Sequence, residues 1–282
     1  MTTPRVEDII ADLRNLPSLP TVVMELLQTM GDEDVNIDRL AHGISNDQAL
    51  AARTLRVANS PFYGMQGRID TIAEAITVLG FVNVRSLVTT AGIATAWPTR
   101  EAAGFEPRMF WRHGLGVACC ASTLAQLAGL RPDRLFLAGL LHDIGRLVLV
   151  ATHPAAFEEI LRRRRADDCA LIEAERGVLG FDHAAIGAAL CRHWRIPESI
   201  ADAVDRHHRP RTDSTDQPAE PADVVHIADV LAHALDLADD PQAMVPPPAP
   251  AAWHRLGLGR EKLRTVLRQI ESQFGGFSSM VS

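Results

Sequence analysis

Aromatic side chains are scarce in this sequence, with nine Phe, four Trp and one Tyr making up 5% of 282 residues. Ala, Leu and Arg are plentiful instead, a mixture that favours helix over sheet. Cysteine is also scarce. Cys119, Cys120, Cys169 and Cys191 form no C-x-x-C pair, so neither a zinc ribbon nor a redox dithiol has support. Positive charge is in deficit, with a formal net charge of −7. Nucleic-acid binding needs a basic field to neutralise phosphates, so no nucleic-acid partner is expected. The one basic run, Arg162 to Arg165, reads as the solvated C-terminal end of a helix, where cations suit the dipole. No apolar run reaches the ~20 residues of a membrane span. The longest, Leu135 to Val150, is interrupted by His142, Asp143 and Arg146. The polar N-terminus shows no signal peptide, so the expectation is a cytoplasmic protein with reduced thiols and no membrane partner.

What is present is ordinary globular material, 47% apolar and 22% charged, which argues against overall disorder. A chain of this length buries about three quarters of its unfolded surface, and length alone permits one large domain or two small ones.

Helical periodicity dominates. Leu19, Val22, Val23, Leu26, Leu27 and Met30 fall on one helix face, as do Val6, Ile9, Ile10, Leu13 and Leu16 before Pro17. Thr71 and Glu74 read as a capping box for a helix carrying Ile72, Ala75, Ile76 and Leu79, which Gly80 stops. Further helices are expected near 38–45, 47–58, 83–96, 107–128, 133–151, 155–166, 169–179, 183–194, 198–208, 221–237 and 261–273. No segment alternates as a strand does, so the fold class is all-α. Residues 209–222 and 240–252 read as loops, the second because of Pro246, Pro247 and Pro248. A softer junction lies near Pro98 to Pro107. The expected organisation is an N-terminal helical lobe (1–100), a histidine-rich lobe (101–240), and a Pro-rich linker with a terminal amphipathic helix (241–282). That last helix carries Leu263, Val266, Leu267 and Ile270 on one face and is expected to cap the domain.

Seven residues stand out: His113, His142, Asp143, His183, His207, His208 and Asp229. His142-Asp143 lies in the apolar stretch Leu140-Leu141-His142-Asp143-Ile144-Gly145-Arg146, and burying a carboxylate without a partner costs several kcal/mol. A divalent cation is a good partner, because imidazole nitrogen and carboxylate oxygen both ligate borderline metals. On a helix adjacent side chains point about 100° apart, so one dyad could ligate through the histidine and bridge through the aspartate. An antiparallel bundle would bring the elements carrying all seven to one centre. Lone histidines are more often hydrogen-bonded core residues than ligands. His153, His193, His226, His233 and His254 are read that way, and His42 as a surface residue.

The order His, His-Asp, His, His-His, Asp resembles the HD superfamily of metal-dependent phosphohydrolases, which includes the HD-GYP cyclic-dinucleotide phosphodiesterases. The N-terminal half narrows the resemblance. Leu16-Pro17-Ser18-Leu19-Pro20, Ile44-Ser45-Asn46-Asp47, Leu55-Arg56-Val57-Ala58-Asn59-Ser60 and Ile72 to Gly80 are similar to HDOD domains, the HD-related output domains of bacterial signalling. The likeness runs from about residue 10 to about 235. It implies a multi-helix fold, an N-terminal lobe packed on an HD-type lobe, and a centre of one or two divalent ions. By the HD pattern His113, His142, Asp143 and Asp229 would hold one ion, and His183, His207 and His208 a second, with Asp143 bridging. Iron or manganese suits such a mixed donor set, and zinc remains open.

There are departures. Arg209-Pro210-Arg211 follows His207-His208, with no Gly-Tyr-Pro segment, which weakens any claim to cyclic-di-GMP hydrolysis. Gln48 stands where a proline is expected, and Arg146 where HD enzymes often carry lysine.

Two functions follow from the resemblance. One is a regulatory module that relays a signal through a protein partner, with the metal serving structure or sensing. The other is a metal-dependent phosphohydrolase acting on a nucleotide or cyclic nucleotide, with Asp143 bridging the ions and Arg146 facing the phosphate. The expected partner is a signalling protein or a nucleotide ligand, and homodimer formation is left open.

Overall fold

A computed structural model describes residues 9, 11, 19–28, 36–59, 69–96, 104–213, 215–241 and 244–277. Among these there are fifteen helices and no strand, as the composition predicts. Apart from Ile9 and Ala11, the expected helix before Pro17 lies outside the described residues, as do the Leu16-Pro17-Ser18 part of the motif and most of the Pro98–Pro107 junction.

The N-terminal half contributes α1 (Thr21–Gln28), α2 (Ile37–Asn46), α3 (Gln48–Ala58), α4 (Ile72–Leu79) and α5 (Phe81–Ala96). Their starts are written locally. Asn36 caps α2, and Asp47 caps α3 by accepting from the amides of Ala49 and Leu50. Thr71 and Glu74 form the expected capping box on α4. Asn59 donates to the Ile69 carbonyl at 2.7 Å and accepts from its amide at 3.0 Å. That gives the Ala-Asn-Ser motif a structural reason, since one side chain closes the segment between α3 and α4.

The remaining helices are α6 (Pro107–Leu127), α7 (Pro132–Leu141), α8 (Ile144–Thr152), α9 (Pro154–Asp167), α10 (Leu171–Leu179), α11 (His183–His193), α12 (Glu198–Arg206), α13 (Pro221–Ala234), α14 (Pro250–Arg255) and α15 (Arg260–Phe277). α6 packs against α7, α13 and α15, and α11 packs against α8 and α12. The N-terminal half meets this bundle through α5 and α7. There the buried Arg85 guanidinium donates to Asp133 at 2.6 Å. The Arg162–Arg165 run is the exposed end of α9, as read from the sequence, with Arg163 paired to Asp167. α15 turns Val266, Ile270, Phe274 and Phe277 inward and caps α6. Pro250 starts α14 inside the stretch read as a loop.

One expectation needs correction. The helix expected over 133–151 is two helices, broken at His142-Asp143. The apolar segment Pro132–Thr152 is long and apolar enough to cross a membrane by length and composition, but 83% of its most apolar stretch is buried in the fold. Both helices are buried nearly all round, so hydrophobic periodicity runs through the break and hides it. Asp143 adopts φ −98°, ψ 5°, and the Arg146 amide bonds to the Asp143 carbonyl at 2.9 Å. The dyad therefore sits in a tight turn rather than on a helix face.

Candidate metal centre

Two glycines flank the dyad and let its neighbours close in. A Cβ on Gly139 would stand 2.8 Å from the Val117 carbonyl oxygen of α6. A Cβ on Gly145 would stand 2.0 Å from the His183 carbonyl oxygen of α11. Only a residue without a side chain permits both approaches. They let α6, which carries His113, and α11, which carries His183, close against the turn. His207 and His208 follow the last residue of α12, and Asp229 lies mid-way along α13.

All seven residues singled out in the sequence converge. His113 Nε2 lies 3.2 Å from His142 Nε2 and 3.1 Å from Asp229 Oδ1. Asp143 Oδ1 lies 2.9 Å from His183 Nε2, 3.5 Å from His142 Nε2 and 3.8 Å from His207 Nε2. His208 Nε2 is 3.0 Å from His183 Nε2. Three sets have donor atoms all within 4.8 Å of one another: Asp143, His183, His207 and His208; His113, His142 and Asp143; and His113, Asp229 and His233. His42, His153, His193, His226 and His254 belong to none of them. Except for His208 and His233, no residue in these sets is more than 7% exposed.

The ring orientations are fixed from outside. His142 Nδ1 faces the Gly139 carbonyl at 2.7 Å, and His207 Nδ1 faces the Val204 carbonyl at 2.6 Å. Carbonyl oxygens only accept, so both Nδ1 atoms carry the proton. In the neutral rings the Nε2 lone pairs then point inward. Burial keeps these rings neutral. It pushes His142 down, and pushes His207 down to about 3 with help from His142 and His183. His207 Nε2 is buried with no hydrogen-bond partner among the described residues.

Glu175, on α10, was not singled out in the sequence. It is fully buried, and its Oε2 accepts from the amide and Nδ1 of His183 at 2.9 and 2.7 Å. Burial disfavours the His183 cation, but Glu175 and Asp143 more than offset this and raise it to about 10. Burial would likewise raise the Asp143 carboxyl. His142, Arg146 and His183 instead hold it well below the usual range, and histidine neighbours, His113 foremost, do the same for Asp229. His233, read as an ordinary core histidine, lies with its Nε2 3.4 Å from Asp229 Oδ1. The only available sequence signal was its position four residues after Asp229, on the same helix face. Arg146 does not point away toward a ligand. Its Nη1 donates to Asp143 Oδ2 at 2.7 Å.

A set of inward lone pairs facing carboxylate oxygens is electrostatically unfavourable unless a cation sits among them. The donor chemistry therefore fits a divalent ion, and fits one with imidazole and carboxylate preferences. His142, His207 and His183, each fixed through Nδ1 by an outer acceptor, match the way proteins orient histidine ligands.

Known proteins resemble this chain over most of its length. The HDOD domain family profile matches residues 16–210. An uncharacterised protein of Treponema pallidum is 26% identical over 219 residues, 73% of this chain and 40% of that protein. The chain thus spans about two fifths of the length of that relative. A crystal structure of an HDOD domain protein of unknown function from Geobacter sulfurreducens has a TM-score of 0.76 at 26% identity, covering 98% of both chains. A Shewanella amazonensis protein, provisionally designated a phosphohydrolase, has the same score and identity over 97% of this chain and 98% of its own. The chain belongs to the HDOD domain family.

Proposed function

We propose that this protein is a regulatory signalling module whose shape is set by a metal centre of the HD type, able to hold two ions. One observation carries the reading. The donors come from α6, the α7–α8 turn, α11, the end of α12, and α13, so one centre ties five parts of the bundle together. An ion bound there would supply the positive charge that the converging lone pairs and carboxylates require. Its presence or absence is a local electrostatic change with a global structural readout, the form that ligand switches take. A protein partner would read the resulting surface, and the partner assignment rests on family membership alone. Iron or manganese suits the mixed donor set, with zinc the alternative.

The test is elemental analysis of untagged protein purified without added metal or chelator, followed by partner capture with metal-loaded and metal-free protein. Near two equivalents of metal, with capture that depends on loading, is the expected result. Absence of metal even after reconstitution would refute the reading.

A second reading, a metal-dependent phosphohydrolase, is favoured by the completeness of the donor set and by the similarity to the Shewanella protein. A divalent ion supplies Lewis acidity toward a phosphoryl oxygen. Asp143 would orient the donors, and Arg146, 28% exposed at its side chain, would leave Asp143 to meet a phosphate. Metal-dependent turnover of a phosphoester that His142→Ala abolishes would establish this reading. No turnover across a broad panel of phosphoesters and cyclic nucleotides would dismiss it.

A further inference from the structure

The centre has a repeated pattern that the seven-residue set does not complete. Asp143 Oδ1 is ringed by three imidazole Nε2 atoms, those of His183, His142 and His207, at 2.9, 3.5 and 3.8 Å. Asp229 Oδ1 is also ringed by three, those of His113, His233 and His142, at 3.1, 3.4 and 3.7 Å. His142 belongs to both rings. Without His233 the second ring has only two imidazoles.

His233 makes a poor structural histidine. Its Nδ1 is buried with no hydrogen-bond partner among the described residues. Its Nε2 stands 3.4 Å from the carboxylate, whereas a charge-assisted hydrogen bond closes to about 2.7–2.9 Å. Two donors on one ion, each with a bond of about 2.1 Å, stand roughly 3.0–3.4 Å apart. The observed separations to His113 and His233 fit that spacing. The His113 and His233 rings lie together, centroids 4.5 Å apart and planes 38° apart, so both present Nε2 to the same oxygen. His233 is also 22% exposed at its side chain, which places it at the rim.

We propose that His233 is an additional metal ligand, which with His113 and Asp229 makes the Asp229 end of the centre a cation station of its own. This rests on the metal-centre reading above and extends it by one residue. The rim position means that His233 can be exchanged without opening the core.

The experiment is titration of the metal-free protein with Mn²⁺, scoring ions bound by elemental analysis and affinities by calorimetry. It compares native protein, His233→Gln and His233→Glu, with circular dichroism to verify that all three are folded. Two ions are expected in the native protein. His233→Gln should lose the second ion or bind it at least tenfold more weakly, with the first unchanged, and His233→Glu should restore it through a carboxylate. Native stoichiometry and affinity in His233→Gln would overturn the assignment while leaving the metal centre intact. Failure of the native protein to bind any ion would overturn both.

Discussion

Glu175→Gln probes the centre through charge alone. The substitution keeps an oxygen for the two hydrogen bonds with His183 and removes only the negative charge. In the metal-free protein that charge, with Asp143, overcomes burial and lifts His183 to about 10. A cation taking His183 Nε2 must then expel a proton. At pH 7 the proton holds roughly a thousandfold advantage, about 4 kcal/mol at about 1.36 kcal/mol per pH unit. Apparent affinity at the Asp143 end should therefore rise about tenfold per pH unit between pH 7 and 9. An outer carboxylate of this kind also contributes about 10–100-fold to metal affinity. In Glu175→Gln these effects oppose each other near neutrality, because His183 falls toward its ordinary value and proton competition fades as the ligand weakens. The readable quantity is the slope, near one decade per pH unit for the native protein and near zero for the variant above pH 7. Competition against a chromophoric chelator, corrected for the chelator's own protonation, measures it. A flat native profile, or the same slope in the variant, would refute the reasoning.

Four further outcomes are expected. His142→Ala removes the imidazole shared by both carboxylate rings and should lower the affinity of both ions, read by elemental analysis after dialysis; loss of one ion alone would contradict the sharing. Gly145→Ala meets backbone on α11, which cannot swing aside, and should cost at least the 1–3 kcal/mol typical of overpacking; an unchanged denaturant midpoint would argue against that close approach. Arg255→Met leaves the fully buried Asp223 carboxylate without its cation and should destabilise by about 3–5 kcal/mol, checked by urea unfolding. The metal-free protein should be most stable near pH 6.5 to 7, because His142 and His207 are held neutral by burial and their stability contribution is lost as the unfolded histidines take up protons below about pH 6.5. The depressed Asp143 and Asp229 carboxyls contribute stability above their unfolded values that is lost on acidification, and the raised His183 contributes stability below its unfolded value that is lost toward pH 10. Equal melting temperatures at pH 3, 7 and 9 would refute this.

The sequence made most helix boundaries legible because they depend on nearest neighbours. Thr71 and Glu74 meet three residues apart, and Asp182 caps α11 by accepting from Ala185. The break at His142-Asp143 was not legible, since a turn buried on every side carries the same apolar pattern as the helices it joins. In the site, the histidines and aspartates announced themselves by being polar within apolar stretches. Glu175 did not, because a glutamate on a short helix with Glu173 and Arg176 beside it looks solvated. Only the arrival of His183 eight residues later shows what it faces. His226 was read correctly as a satisfied core histidine. Its Nδ1 faces the His207 carbonyl at 2.8 Å, and its Nε2 accepts from the Ala249 amide at 3.0 Å.

That last pair of contacts bears on where the functional unit ends. The family profile stops at residue 210, yet Asp229 and His233 come after it. The backbone of His207 is braced by His226, and His226 in turn by Ala249. Arg255 then ties α14 to Asp223 and to the carbonyls of Arg211 and Asp213. A chain cut at the recognised boundary would keep six of the seven original donors and lose Asp229 and His233, the carboxylate and one imidazole of the second ring. The stretch matched by the family profile is therefore shorter than the packed unit that holds the candidate centre, and anyone trimming the protein for partner screens should cut no earlier than the end of α14.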